Sequence, residues 1–238
     1  MKAIILSSTK YKETDGVIDA ITDKGPITLF GKGIYKPTAK NHHLVDGLLL
    51  ADIETVASST NQLIIRRSKI LANPRKPAND YYNMASILLL AELTKKCLND
   101  EDKKYIYPHL EAAITSLSDS AYPWNIVLVY MAKILKINGY QLEVNACVNC
   151  GSKKKIKLFS FKEGGFLCET CANELNANID LTPDQLILIR DVFNAPDYVH
   201  FGNECTLENA LILINKFNEF ISEVLGANLK QIKFFVKK

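Results

Sequence analysis

The first 75 residues alternate short apolar runs, rich in β-favouring side chains, with turn signals. Asp15-Gly16, Asp23-Lys24-Gly25-Pro26 and residues 58–61 are typical turn sequences. Five strands within about 70 residues, with no helix-length pattern among them, favour a small closed barrel, and the OB-fold is the five-stranded candidate. The predicted strands cover residues 3–6, 17–22, 27–30, 48–53 and 63–67.

The pattern becomes helical from Asn79 to Tyr140. Residues 84–93 are apolar nearly all round, which predicts a helix buried inside a bundle. A second helix is predicted over residues 106–117. A third is predicted over residues 123–137, because Pro123 suits a helix start and Gly139 suits the position just past a helix end.

Helical signals return near Thr182, where Thr182-Pro183-Asp184-Gln185 has the form of a capping box. Apolar residues at helical spacing then predict a long amphipathic helix from Leu207 to Gly226. The sequence thus predicts an α+β multidomain protein, in which an N-terminal OB-fold β-barrel precedes an all-α domain interrupted by a cysteine-rich module. The expected boundaries are 1–75 for the barrel, 76–142 and 177–238 for the helical domain, and 143–176 for the module.

Four of the six cysteines form two C-x2-C pairs, a spacing typical of structural zinc sites. Two disulfides or a redox dithiol are the alternatives, but nothing marks the chain as secreted, and a redox pair would need a βαβ context. Gly151 permits a tight turn after the first pair, and Gly164-Gly165 suits a hairpin between the pairs. Four thiolates would close the coordination shell, so we expect one structural Zn²⁺ and no metal catalysis. The predicted ligands are Cys147, Cys150, Cys168 and Cys171.

Composition places the chain among ordinary globular proteins, with 238 residues, 47% apolar and 23% charged. The longest strictly apolar run, residues 126–132, is too short to span a membrane, and the N-terminus lacks a signal-peptide core. We therefore expect a soluble, cytoplasmic protein without a membrane partner. Cys97 and Cys205 lie in apolar helical patterns and are expected to be buried as small hydrophobic residues.

The net charge of +3 carries no argument by itself, but its distribution does. Residues 1–75 carry +4 and the last twelve residues another +4, whereas the remainder is slightly acidic. Basic segments favour an anionic partner such as nucleic acid, although solvated surface lysines explain them equally well.

The stretch from Ile27 to His43 is the candidate nucleic-acid interface. Alternation along a strand puts Thr28, Phe30 and Lys32 on one face, where an aromatic ring beside a lysine suits stacked bases and phosphates. The alternative is that Phe30 belongs to the core. Arg66 and Arg67 are adjacent, so they are expected to project to opposite faces and at most one joins this surface. The candidate binding residues are Phe30, Lys32, Tyr35, Lys36, Lys40, Arg66 and Arg67.

Contacts of this kind would be mainly to the backbone of the nucleic acid, so binding is expected to be salt-sensitive and to depend little on base sequence. The motifs of P-loop enzymes, α/β-hydrolases and dinucleotide-binding enzymes do not occur in the sequence. We expect no enzymatic activity.

Three features together resemble the RecO family of bacterial recombination mediators. They are the Lys-Tyr-Lys-Glu-Thr-Asp segment at residues 10–15, the Phe-Gly-Lys-Gly segment at 30–33 before a basic loop, and the C-x2-C-G…G-G…C-x2-C insert at 147–171. Residues 225–230 also resemble the closing helix and tail of the family. The sequence departs from the family at Thr38, where serine is usual, and at Gln231 and Ile232, where a Lys-Ser pair is common.

The resemblance implies binding of single- and double-stranded DNA, annealing of complementary strands, and action with RecR. It also implies binding to the acidic C-terminal tail of single-strand-binding protein, assistance in loading RecA, and a place in the cytoplasm in association with the nucleoid. Such a tail requires an apolar groove with a cation for its terminal carboxylate, which the helical domain can supply. The alternatives are a zinc-stabilised protein-interaction scaffold, which would not anneal DNA, and an RNA-binding factor, which would prefer RNA.

Overall fold

The computed structural model describes residues 1–75, 80–177, 180–196, 198 and 205–236. The expected boundary at residue 76, the expected start of the helical region at Asn79, and the tail residues Lys237 and Lys238 lie outside the described residues.

The N-terminal segment forms a closed five-stranded barrel with strand order β1-β2-β3-β5-β4, in which β1 and β4 complete the ring. Neighbouring strands are antiparallel except β3 and β5, which run parallel. This order is that of an OB-fold, so the predicted barrel is confirmed. The strands are β1 (Lys2–Tyr11), β2 (Asp15–Thr22), β3 (Gly25–Gly31), β4 (Leu49–Ala57) and β5 (Leu63–Ala72).

The continuous apolar run at the start of β1 reflects burial on both faces of the strand. Ala3 and Ile5 point into the barrel core, whereas Ile4 and Leu6 belong to the core of the helical region. Because successive side chains of a strand point to opposite faces, β1 is shared by two cores. Ile21 and Leu50 join the same helical core from β2 and β4. The barrel therefore packs firmly on the helices.

Five helices form the body of the molecule. They are α1 (Tyr81–Lys96), α2 (Lys103–Asp119), α3 (Pro123–Ile137), α5 (Pro183–Asn194) and α6 (Leu207–Leu225). Helix α3 is buried along almost its whole length and contacts the other four helices. The sequence predicts its two ends correctly.

The predicted helix signals after residue 180 are also confirmed. Thr182 accepts a hydrogen bond from the backbone N–H of Gln185, and the side chain of Gln185 accepts one from the backbone N–H of Thr182. Helix α6 ends at Gly226, which has a left-handed conformation at φ +63°.

The prediction that α1 is buried all round is wrong on one side. Tyr81, Met84 and Leu88, one turn apart, are exposed, and Phe234 lies beside them. The remaining apolar side chains of α1 face α3 and the barrel. A helix that is apolar on every side can be buried or can offer one face to a partner, and the sequence pattern does not distinguish the two.

The cysteine-rich module is a small three-stranded sheet with a short helix. Its elements are β6 (Glu143–Cys147), β7 (Ile156–Ser160), β8 (Gly165–Cys168) and α4 (Glu169–Glu174), with strand order β6-β8-β7. The hairpin predicted around Gly164-Gly165 joins β7 to β8. Phe159 and Phe166 join the helical core, so the module packs on the body.

Cys97 and Cys205 are both buried, as predicted. Burial raises the pKa of each thiol to about 12, which keeps both in the unreactive protonated form. Within the described part of the chain, none of the helices has the length and apolar character needed to cross a lipid bilayer.

Candidate nucleic-acid interface and metal site

The turn after β3 is shaped by two glycines that hold Lys32 at its tip. A Cβ atom at Gly31 would lie 2.7 Å from Cδ1 of Ile34, a buried residue of the barrel core. Gly33 has φ +59°, which L side chains adopt only with strain, and its backbone N–H donates to the carboxylate of Asp15 at 2.7 Å. The turn is therefore fixed, and Lys32 projects from it into solvent.

The predicted lysines of this loop are exposed and carry uncompensated charge. Lys32, Lys36 and Lys40 form no ion pair with any residue that the structure describes. The loop continues into a 3-10 turn, His42–Asp46, whose Leu44 is buried in the barrel core. The three lysines are thus displayed on a loop anchored at both ends, where phosphate groups can reach them.

Tyr35 takes a structural position. Its hydroxyl donates to the Oγ atom of Ser8 at 2.9 Å, its backbone N–H donates to Thr14, and its ring lies against Gly16. The ring is half-buried and packs on the barrel core, so it closes the end of the β1–β2 hairpin. Its stacking on a base, expected from the sequence, remains a prediction.

Phe30 lies on the outer face of the barrel, half-exposed, and not in the barrel core. The strand register places it in one row with four other side chains that share this face. The row crosses all five strands, and its last member is 43% exposed. In order, the row is Thr9, Val17, Phe30, Ile64 and Val56.

Tyr11 is a candidate residue that the sequence reasoning missed. Its ring lies edge-on to that of Phe30, with centroids 5.9 Å apart, and 48% of the residue is exposed. Lys12 places its Nζ atom 5.4 Å from the centroid of the Tyr11 ring. The signals for Tyr11 were its place between Lys10 and Lys12 and within the family-like segment 10–15, but the sequence does not show that it neighbours Phe30.

Arg66 and Arg67 are both exposed and do not project to opposite faces of the strand as expected, whereas their part in binding nucleic acid remains a prediction. Ile65 is in the barrel core, and Ser68 donates inward to Asn41 of the loop at 2.8 Å. In a regular strand, residues that face inward are two positions apart, but Ile65 and Ser68 are three positions apart. The strand therefore contains one extra residue, and the register of β4 and β5 shifts at this point. This β-bulge leaves both guanidinium groups outside the barrel.

The four predicted cysteines come together at the edge of the module's sheet. All four Sγ atoms lie within 4.8 Å of one another, and those of Cys150 and Cys168 are 3.7 Å apart. Cys147 and Cys150 flank a tight turn closed by the Gly151 N–H donating to the Cys147 carbonyl at 2.8 Å. Cys168 and Cys171 lie at the end of β8 and in α4.

The quartet has the dimensions of a tetrahedral metal site. Metal–sulfur bonds of about 2.3 Å give sulfur–sulfur separations of about 3.8 Å, close to the observed spacing, whereas a disulfide needs about 2.05 Å. All six cysteines are free thiols. The donor set of four thiolates suits a soft or borderline cation.

Backbone donors surround the most buried sulfur. Burial acts to raise the pKa of Cys147, but the N–H groups of Cys168, Cys150 and Asn149 favour its thiolate and lower its pKa to about 6. At Cys171 the side chain of Asn149 favours the thiolate, yet burial and the three neighbouring thiols raise the pKa to about 12. A bound cation is what allows all four sulfurs to ionise together.

Comparison with known proteins agrees with this architecture. The family model described as "Recombination protein O C terminal" matches residues 78–231, about two thirds of the chain. The DNA repair protein RecO of Bacillus pumilus (strain SAFR-032) is 24% identical over 238 residues, covering 98% of this chain and 91% of that protein. The DNA repair protein RecO of Bacillus subtilis (strain 168) is 23% identical over 239 residues, covering 98% of this chain and 92% of that protein. The chain belongs to the RecO family of DNA repair proteins.

Proposed function

We propose that this chain is a non-catalytic mediator of DNA repair and homologous recombination that binds single- and double-stranded DNA and anneals complementary strands. The observation that carries this proposal is the row on the outer face of the barrel. Phe30 is its central member, the exposed Tyr11 ring packs against Phe30, and the loop after β3 carries unpaired lysines. Aromatic and aliphatic side chains stack on unpaired bases, and free lysines bind phosphates without reading sequence. A protein with both kinds of side chain can bind a single strand and leave the pairing edges of its bases accessible.

The binding surface can be tested by charge reversal on the loop. Replacing Lys32, Lys36 and Lys40 with Glu is expected to lower affinity for a single-stranded oligonucleotide more than tenfold. Because three phosphate contacts are lost, a plot of log K against log salt concentration is also expected to become less steep by about 2. Fluorescence anisotropy over a range of salt concentrations measures both.

The matched control reverses three exposed lysines that lie outside the loop: Lys24 in the β2–β3 turn, Lys104 of α2 and Lys136 of α3. It changes the net charge equally and is expected to alter affinity far less. Equal loss in both variants would remove the barrel loop from the mechanism. Tighter binding to RNA than to DNA of the same sequence would favour the RNA-binding alternative, and absence of annealing with DNA binding intact would favour the scaffold.

We propose that Cys147, Cys150, Cys168 and Cys171 bind one Zn²⁺, which has a structural role. Four thiolates leave no open coordination position for a substrate or water. When bound, the ion supplies a crosslink between the turn after β6 and helix α4, in a module whose own apolar cluster is small.

We further propose that the chain acts with RecR, binds the acidic C-terminal tail of single-strand-binding protein and helps to load RecA. The best groove for such a tail lies on the exposed side of α1 and has a volume of about 320 Å³. It is lined by Tyr81, Met84, Ala85, Leu88 and Phe234, together with Asp80, whose carboxylate caps α1 by accepting from the backbone N–H of Asn83 at 3.1 Å. Lys233, whose Nζ atom lies 5.0 Å from the Phe234 ring centroid, supplies the cation that a terminal carboxylate needs.

A larger cleft of about 540 Å³ between the module and α6 is a poor site for an acidic tail. Its lining includes Glu163, Glu219 and Glu223, which form no ion pair among the described residues. Of its two lysines, Lys216 is already paired with Asp180 at 2.5 Å, which leaves Lys162 against three carboxylates. Unpaired carboxylates repel an acidic peptide, so charge selects the smaller groove.

Replacing Leu88 with Glu is expected to weaken binding of a peptide that carries the tail sequence by at least tenfold, because it puts a like charge in the apolar groove. Ile187→Glu, at an exposed position of α5, is the matched control. Peptide titration by calorimetry distinguishes the variants, and equal affinities would exclude this groove.

A further inference from the structure

The cysteine-rich module carries a second basic surface, which we call the lysine segment: Lys153, Lys154, Lys155 and Lys157. All four residues are exposed. Between Cys147 and Lys162 the sequence contains five lysines and no acidic residue. The segment therefore concentrates positive charge on a module within a part of the chain that is otherwise slightly acidic.

The backbone of the lysine segment is held in place at both ends. The carbonyl of Ser152 accepts from the Cys147 N–H at 2.8 Å, and the carbonyl of Lys155 accepts from the Glu169 N–H at 2.9 Å. Lys155 has φ +54°, an uncommon conformation for a lysine, which turns the chain into β7. A fixed backbone presents the four ammonium groups with less loss of conformational freedom on binding than a mobile tail would.

The fold leaves most of this charge uncompensated. Among the described residues only Lys155 has an ion-pair partner, Glu169, at 4.0 Å, and both side chains are at least half-exposed. Such a pair contributes little. Lys157 points outward from β7, opposite the buried Leu158. The segment thus offers adjacent, hydrated cations with no apolar groove among them.

The barrel and the lysine segment lie on different sides of the helical body. Strands β1 to β4 contact α1 and α2, whereas β6 and β7 contact α5, and the buried α3 lies between these helices. A strand on the outer barrel face therefore does not occupy the lysine segment, and the two surfaces are available together.

We infer that the lysine segment binds the sugar–phosphate backbone of a second DNA strand while the barrel holds the first. This inference rests on the proposed DNA binding by the barrel. A polyanion with one charge about every 3.4 Å along each strand matches closely spaced cations without a groove. The groove on α1 differs from the lysine segment, because it is apolar with one cation and so suits the terminus of a peptide. Two surfaces on one chain bring two strands together before they pair.

The test immobilises a 15-nucleotide single strand, saturates it with protein, and measures capture of a labelled non-complementary strand, so that base pairing makes no contribution. Replacing Lys153, Lys154 and Lys157 with Gln is expected to weaken capture of the second strand at least tenfold. A plot of log K for second-strand binding against log salt concentration should become less steep by about 2, because three phosphate contacts at about 0.7 each are lost. The same three positions replaced with Arg are expected to retain capture, since the charge is kept.

The control replaces Lys24, Lys104 and Lys136 with Gln and is expected to capture the second strand normally. Full capture by the lysine-segment variant overturns the inference, even if the barrel binds DNA. The inference is also overturned if the lysine-segment variant binds an acidic peptide more weakly but captures the second strand normally. The lysine segment would then be a binding surface for a protein partner. If replacing Lys32, Lys36 and Lys40 with Glu leaves the affinity for the immobilised first strand unchanged, the proposed function of the barrel is contradicted instead. Metal content and melting temperature, unchanged in the Gln variant, exclude misfolding of the module.

Discussion

The carboxylate of Glu92 ties the C-terminal segment to α1, the first helix of the body. The two Glu92 oxygens accept the backbone N–H groups of Lys230 at 2.9 Å and Gln231 at 2.7 Å, and Lys96 lies 2.7 Å away. Burial acts to raise the pKa of Glu92, but these three donors favour the ionised form and hold the pKa below its usual value. The segment that they hold carries Lys233 and Phe234 to the groove on α1.

Glu92→Gln is expected to lower the free energy of unfolding by about 1–3 kcal/mol at pH 7, since hydrogen bonds to a charged group are lost. A carboxyl whose pKa is lower in the folded state stabilises the protein above the unfolded pKa, and the effect disappears as pH falls through the folded pKa. The difference between the two proteins should therefore shrink as pH falls below the unfolded pKa and be lost below the lower pKa of the folded state. Urea unfolding at several pH values measures it.

Glu101→Gln is the control, because Glu101 is exposed and has no ion pair among the described residues. A cost at Glu92 that persists unchanged to pH 3 would contradict the charge-based explanation. A cost equal to that of Glu101→Gln would show that the Glu92 carboxylate does not hold the C-terminal segment in place.

At the scale of elements, we expect the cysteine-rich module to depend on its proposed metal site more than on its apolar interior. Leu158 and Leu167 with three of the cysteines and Ala172 are the buried members of its own cluster. Strands of four and five residues with one short helix bury too little surface to fold alone. The hydrogen bonds around the first C-x2-C turn arrange the sulfurs, and the cation is expected to supply the missing stability.

Cys147→Ser is expected to reduce zinc from about one ion per chain to none and to lower the melting temperature by roughly 10 °C. DNA affinity per folded molecule should change less than stability does, because the barrel is separate from the module. Metal analysis, thermal melts and anisotropy on one preparation test this together, with Cys205→Ser as the buried, non-ligating control. A larger loss of affinity than of stability would make the metal part of the first DNA-binding surface.

At the scale of the whole molecule, one outer face of the barrel is buried in the core of the helical body. Four apolar side chains on the outside of the barrel are buried in the helical core: Ile4, Leu6, Ile21 and Leu50. Lys95 of α1 adds an ion pair with Asp19 of β2 at 3.2 Å. The barrel expected at residues 1–75 therefore has one face built for the body and another, with Phe30, for solvent.

A fragment of residues 1–75 is expected to be far less stable than the barrel in the intact chain, because removing the helices exposes these four apolar side chains. Circular dichroism melts and dye binding to exposed apolar surface measure the difference. The fragment with Ile4, Leu6, Ile21 and Leu50 replaced by Thr or Ser should be more soluble. A fragment that melts like the intact chain would show that the two cores are independent.

The sequence by itself determined the features that depend on near neighbours. Alternating apolar runs defined five strands, the Thr182 capping box and Gly226 defined helix ends, and the spacing of the cysteines from Cys147 to Cys171 defined the quartet of thiols. Each depends on residues a few positions apart, or on a short hairpin, so its physics is contained in the local sequence.

Tertiary structure alone decided which side chains share a surface. Tyr11 meets Phe30, both arginines of β5 lie outside a bulge, and Leu88 of α1 faces solvent beside Phe234. These outcomes depend on strand register and on helix packing between residues far apart in sequence, which hydrophobic patterning does not specify. The fold class was therefore readable from the sequence, whereas the composition of the binding surfaces required the assembled molecule.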